Sequence, residues 1–138
     1  MDVLLSYDNL GEAYDLLRFG HASGGVSDGI YANRRGIPRI LEMLARLNLT
    51  ATFFVEGWSA QQHPGLVAEI VAAGHEVGAH GWLHEEWDRL DLEEERELIK
   101  RTTAAIGDVI GRAPVGWRSP WLRTTRHTMA LLADAGYR

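Results

Sequence analysis

His80 and His84 stand four residues apart in the polar segment His80-Gly-Trp-Leu-His84-Glu-Glu86. Imidazole nitrogen binds divalent cations at about 2.0–2.1 Å, and this spacing puts both rings on one side if the segment makes a helical turn. The plainer alternative is a pair of imidazoles in a wet loop. A polar segment directly after an apolar strand favours the ligand reading. Asp8 follows another apolar run without an intervening turn. A carboxylate there acts as general base or metal ligand, or else caps the loop backbone. Arg118, between Trp117 and Ser119-Pro120, is poorly placed for a solvated charge and calls for a carboxylate partner, with Asp8 the candidate. Trp82 and Trp121 fall in loops, where flat indole faces suit sugar rings, whereas Trp117 lies inside a strand and reads as core. His21, His63 and His127 read as surface or capping residues. The run Glu93 to Glu97 reads as a solvated helix face.

The elements that must position these groups alternate regularly. Val3–Tyr7 reads as a buried strand, Gly20 to Gly29 as loop, and Ile37, Ile40, Leu41, Leu44 and Leu47 recur at helical spacing behind Pro38. Thr50–Val55 is a β-branched and aromatic strand, His63–Ala73 a helix stopped by Gly74, and His75–His80 a short strand. Asp91 with Glu94 predicts a capping box opening a helix that runs to Gly111. Val115–Arg118 reads as a fourth strand, and Thr124 or Thr125 as the cap of a last helix ended by Gly136. This alternation predicts a parallel α/β fold, either an open doubly wound sheet or a (β/α) barrel. In a barrel, the loops after the strands share one mouth, bringing an acid, two imidazoles and a guanidinium together.

Composition limits the alternatives. The chain has 138 residues, 46% apolar and 24% charged, without cysteine, which suits one domain with a packed core and excludes disulfides and thiolate chemistry. No run reaches the roughly 18 apolar residues of a spanning helix, so no membrane partner is expected. Fourteen basic against nineteen acidic residues give a charge of −5, a poor footprint for nucleic acid. The N-terminus lacks a basic, signal-like region, so a cytoplasmic setting is expected.

In this order the segments resemble the polysaccharide deacetylase (NodB-homology) family, carbohydrate esterase family 4. Thr50–Val55 followed by Gly74–His80 looks like its central signature. His80-Gly-Trp-Leu-His84 is similar to its two-histidine metal motif, Arg118-Ser-Pro-Trp121 to its Arg-x-Pro motif, and Asp134-Ala-Gly-Tyr137 to the segment after it. The resemblance implies a distorted (β/α) barrel, cut short after the fourth β/α unit, with residues 1–138 forming one partial domain. It implies that Asp8 is the catalytic base, oriented by Arg118, and that Asn9, His80 and His84 hold a divalent metal, Zn²⁺ first and Co²⁺ next. Asn9 stands where the family has an aspartate. Trp82, Pro120 and Trp121 would then contact substrate, and the general acid would lie beyond Arg138. The implied activity is metal-dependent hydrolysis of a linear amide, foremost N-deacetylation of an acetylated sugar or polysaccharide. The alternatives are a cyclic imide or ureide hydrolase of the family's intracellular, allantoinase-like branch, with little metal dependence, or a non-catalytic member. The expected partner is a carbohydrate or small amide, with self-association through an open sheet edge.

Overall fold

β1 (Ser6–Asp8), β2 (Thr52–Val55) and β3 (Glu76–Ala79) pair in parallel in the order β1-β2-β3. Asp8 lies opposite Phe54, which in turn lies opposite Gly78. The expected fourth strand joins through a parallel bridge between Ala79 and Trp117. The Ala79 N–H donates to Gly116 O at 2.9 Å, and the Arg118 N–H to Ala79 O at 3.0 Å. The computed structural model describes residues 3–8, 11–21 and 28–138. Asn9 therefore lies outside the described residues.

Strand pleating sends alternate side chains to opposite faces. Phe53, Val55, Val77 and Ala79 are buried in the core shared with the helices. Ser6, Asp8, Thr52, Phe54 and Glu76 point the other way and keep access to solvent. Strands in chain order, with the main apolar cluster on one face, form the wall of a (β/α) barrel; a doubly wound sheet reverses strand order and is covered on both sides.

Between β1 and β2 run α1 (Ala13–Phe19), α2 (Asp28–Tyr31), a π-helical turn (Ala32–Gly36) and α3 (Ile37–Leu47). The helical segments before Ile37 have no counterpart in the periodicity, because they are short and lack a side-chain cap. α4 (Gly57–Gln62), likewise unexpected, precedes α5 (Pro64–Ala72), which matches the predicted second helix. α6 (Leu92–Ile110) opens with the predicted capping box: Asp91 Oδ1 accepts the Glu93 and Glu94 N–H groups at 2.9 Å, and Glu94 Oε2 accepts the Asp91 N–H at 2.8 Å. Among the described residues, no helix is long and apolar enough to cross a membrane.

Three local expectations are corrected. β1 begins at Ser6 rather than Val3, because its pairing with β2 starts there; Val3 and Leu4 are exposed. α7 (Thr128–Asp134) starts later than Thr124 or Thr125 implied, with His127 at its N-cap. Thr125 Oγ1 instead accepts the His127 N–H at 3.0 Å and also contacts Glu95. Glu95, assigned to a solvated face, is fully buried. It accepts the Trp87 indole N–H at 3.1 Å and the Thr128 hydroxyl at 2.7 Å, so one carboxylate joins the segment after β3 to α7. Such burial is tolerated because its oxygens are hydrogen-bonded.

Candidate active site

The carboxyl end of the sheet opens into a cavity of about 650 Å³, whose lining includes Asp8, Tyr14, Asp15, His80, His84 and Trp121. Asp8 ends β1, His80 follows β3, and Arg118 follows the bridge at Trp117. Arg118 Nη1 donates to Asp8 Oδ1 at 2.6 Å, and Nη2 donates to Ser6 Oγ at 3.0 Å. The guanidinium reaches this far by lying over the Phe54 ring, 4.2 Å from its centroid. Phe54 lies flat because its partner in register is glycine: a Cβ on Gly78 would stand 2.7 Å from Phe54 Cε1. The sequence therefore named the right partner for Arg118, although both side chains are about one-third exposed rather than buried.

The two histidines meet without a helical turn. Residues 80–86 form an irregular loop in which Gly81 and His84 adopt left-handed backbone, at φ 73° and 66°. Glu85, itself buried, accepts the Trp82 N–H at 3.0 Å and the Leu83 N–H at 2.7 Å, closing the loop from inside. Burial pushes the Glu85 carboxyl above its ordinary value, against the opposing pull of those backbone hydrogen bonds. The imidazole rings end 4.8 Å apart, edge to face.

His80 places its Nδ1 2.8 Å from Arg118 O, which fixes the tautomer that donates there and leaves Nε2 with a free lone pair. His84 Nδ1 is buried and has no hydrogen-bond partner among the described residues. Burial lowers both pKa values, that of His84 to about 4, while Asp8 pulls the other way. Both rings are therefore neutral at neutral pH. An unbonded, dry imidazole nitrogen beside a second free lone pair fits a divalent cation. No cluster of three His, Cys, Asp or Glu ligands forms among the described residues, which supply this imidazole pair.

The aromatic expectations divide. Trp121 is half exposed at the mouth, turned outward by consecutive left-handed residues at Trp121 and Leu122, and meets His84 and Tyr14 edge to face at 5.1 and 5.6 Å. Trp82 is only 5% exposed and lies beneath Arg101, whose Cζ is 3.6 Å from the ring centroid. It packs the loop and cannot stack on a sugar. Pro120 is buried against the Gly81 turn and is absent from the cavity lining. Trp117 is half-buried beside Trp87, with centroids 5.1 Å apart, as the core reading expected. His63 heads α5, and its Nε2 lies 3.9 Å from Glu12; His127 heads α7, and His21 is exposed.

Sequence reasoning missed Tyr14 and Asp15, which line the cavity from α1, and Glu56, buried directly after β2 with the Ser59 hydroxyl donating to it at 3.0 Å. A polar residue immediately beyond the apolar Thr52–Val55 strand was the available signal for Glu56.

Comparison with known proteins agrees with this architecture. The polysaccharide deacetylase family model matches residues 26–138. A peptidoglycan deacetylase of Helicobacter pylori is 35% identical over 113 residues, 82% of this chain and 39% of its own length. A chitin deacetylase of Pestalotiopsis is 28% identical over 101 residues, 71% of this chain and 34% of its own. A solved structure assigned as a polysaccharide deacetylase from Mycobacterium smegmatis superposes with TM-score 0.89 at 36% identity, covering 97% of this chain and 48% of that one. The chain thus spans less than half the length of these relatives. All three are named as deacetylases, which hydrolyse amide C–N bonds, and these matches lend no support to the allantoinase-like branch. Strand order, the rim of acid, imidazoles and guanidinium, and these matches agree: the chain belongs to the polysaccharide deacetylase family.

Proposed function

We propose that this chain carries the metal-holding half of an N-deacetylase acting on an acetylated polysaccharide, with peptidoglycan the first candidate and chitin the second. The observation that supports it most is the meeting of Asp8, His80 and His84 on one cavity, with both imidazoles neutral and with His80 Nε2 and His84 Nδ1 left uncommitted. In this reading His80 and His84 hold a divalent cation, Zn²⁺ or Co²⁺, with Asn9 as a further oxygen donor. The bound cation would supply Lewis-acid polarisation of the acetyl carbonyl.

The protein's own groups do the rest. Asp8 keeps one oxygen tied to Arg118, which fixes its direction; its Oδ2, without a hydrogen bond among the described residues, takes a proton from the attacking water. The aromatic edges of Tyr14 and Trp121 around His84 shield that ring from bulk water and offer a flat surface to a sugar. The test is acetate release from chitotetraose and from a muropeptide, before and after His84→Ala. Release that depends on His84 supports the reading; release that survives the substitution contradicts it. Self-association through the β1 edge, where Val3 and Leu4 are exposed, belongs to the same proposal.

A further inference from the structure

Beside the cavity, the helical run from Asp28 to Leu47 carries a separate positively charged depression. Tyr31, Arg34, Arg35, Pro38, Arg39 and Glu42 line a hollow of about 500 Å³. These positions follow the i, i+3, i+4 spacing of a single helix face. The intervening residue Ala32 lines the main cavity, so the two hollows share a wall. Asn33, on the inner side of the same run, is buried against the loop after Asp8: a Cβ on Gly11 would lie 2.8 Å from its Nδ2. The π-helical turn Ala32–Gly36 thus anchors inward on the catalytic rim while presenting Arg34 and Arg35 outward.

Three guanidiniums close together are unusual in a chain of charge −5. None of them forms an ion pair among the described residues; Glu42 lines the hollow without coming within pairing distance of any. Arg39 Nη1 donates to the Tyr31 hydroxyl at 3.2 Å, which braces one wall and leaves the exposed Tyr31 ring facing out. Guanidinium forks without a carboxylate partner among the described residues match carboxylates in planar geometry, and a phenol ring beside them suits a sugar face.

We infer that Arg34, Arg35 and Arg39 form a subsite for carboxylate groups on the glycan, so that the preferred substrate is an N-acetylated polysaccharide bearing anionic substituents, such as the peptide stems of peptidoglycan, rather than neutral chitin. This rests on the deacetylase reading and deepens it.

The experiment measures the affinity of the 138-residue chain for a disaccharide-tetrapeptide muropeptide and for chitotetraose by calorimetry. The expected result is tighter binding of the muropeptide by about tenfold, a preference that shrinks as salt rises from about 50 to about 300 mM. In Arg34→Ser/Arg35→Ser the ratio of the two affinities falls close to one. Equal affinities in the unaltered chain, or a ratio unchanged by the substitutions, overturns the subsite while leaving deacetylation standing. Failure to bind either probe contradicts the deacetylase reading itself. If circular dichroism shows the double variant unfolded, the single variant Arg35→Glu gives the same comparison, with a drop in the ratio supporting the subsite and an unchanged ratio overturning it.

Discussion

Arg118 and Asp8, 110 positions apart in the chain, are joined by a 2.6 Å charge-assisted hydrogen bond across the cavity mouth. The bond spans the sheet from the bridge at Trp117 to β1, and the guanidinium crosses on the Phe54 ring above Gly78. Because both groups keep about a third of their exposure, the pair adds only about 1 kcal/mol to stability. Its larger effect is to fix the direction of the carboxylate.

Asp8→Asn should therefore leave melting and cation uptake nearly intact while lowering acetate release by about 100-fold or more. Steady-state rates beside metal analysis check this. Loss of the cation in Asp8→Asn would make Asp8 a ligand rather than a base.

The loop joining the imidazoles depends on Glu85. Glu85→Ala strands the buried Trp82 N–H and the part-buried Leu83 N–H, and should cost about 2 kcal/mol in urea unfolding. Gly81→Ala should act in the same direction: the left-handed backbone costs about 1 kcal/mol, and the new Cβ would lie 2.8 Å from Glu85 Oε2 and 2.9 Å from Pro120 Cγ. Both variants should also weaken cation binding, read as a smaller rise in melting temperature on adding Zn²⁺.

Much of the scaffold was legible because local chemistry dictated it. The Thr52–Val55 strand, the Asp91–Glu94 capping box and the stop of α6 at Gly111 all follow from neighbouring residues. The His80–His84 spacing was legible as a pair, but its geometry was not. The spacing put both rings on one side only for a helical turn, whereas a left-handed His84 and a carboxylate folded under an irregular loop bring the rings together. Trp82 and Glu95 were misplaced for a related reason. Arg101 above Trp82, and Trp87 with Thr128 around Glu95, come from distant parts of the chain. No local pattern encodes them.

A pH dependence follows from His84. In the metal-free chain its pKa drops to about 4, against about 6.5 when unfolded, so between those values the unfolded state binds more protons and stability rises with pH. Stability is fully present above about pH 6.5 and declines as the pH falls toward 4, with His80 contributing in the same direction. Urea unfolding should show a loss of about 2 kcal/mol between pH 7 and pH 5, and His84→Ala should remove most of that slope.

The exposed β1 edge predicts association of the 138-residue chain. Val3 and Leu4 are 67% and 97% exposed beside β1, which among the described residues pairs only with β2, and sedimentation should show mass rising with concentration. A single monomeric species throughout would contradict it.

Cation stoichiometry tests the site most directly. After loading with Zn²⁺ or Co²⁺ and exhaustive dialysis, the chain should retain about one cation, and His80→Ala or His84→Ala about none. An unaltered chain that keeps less than about a tenth of a cation, or histidine variants that keep as much as it does, would contradict a cation held by this imidazole pair.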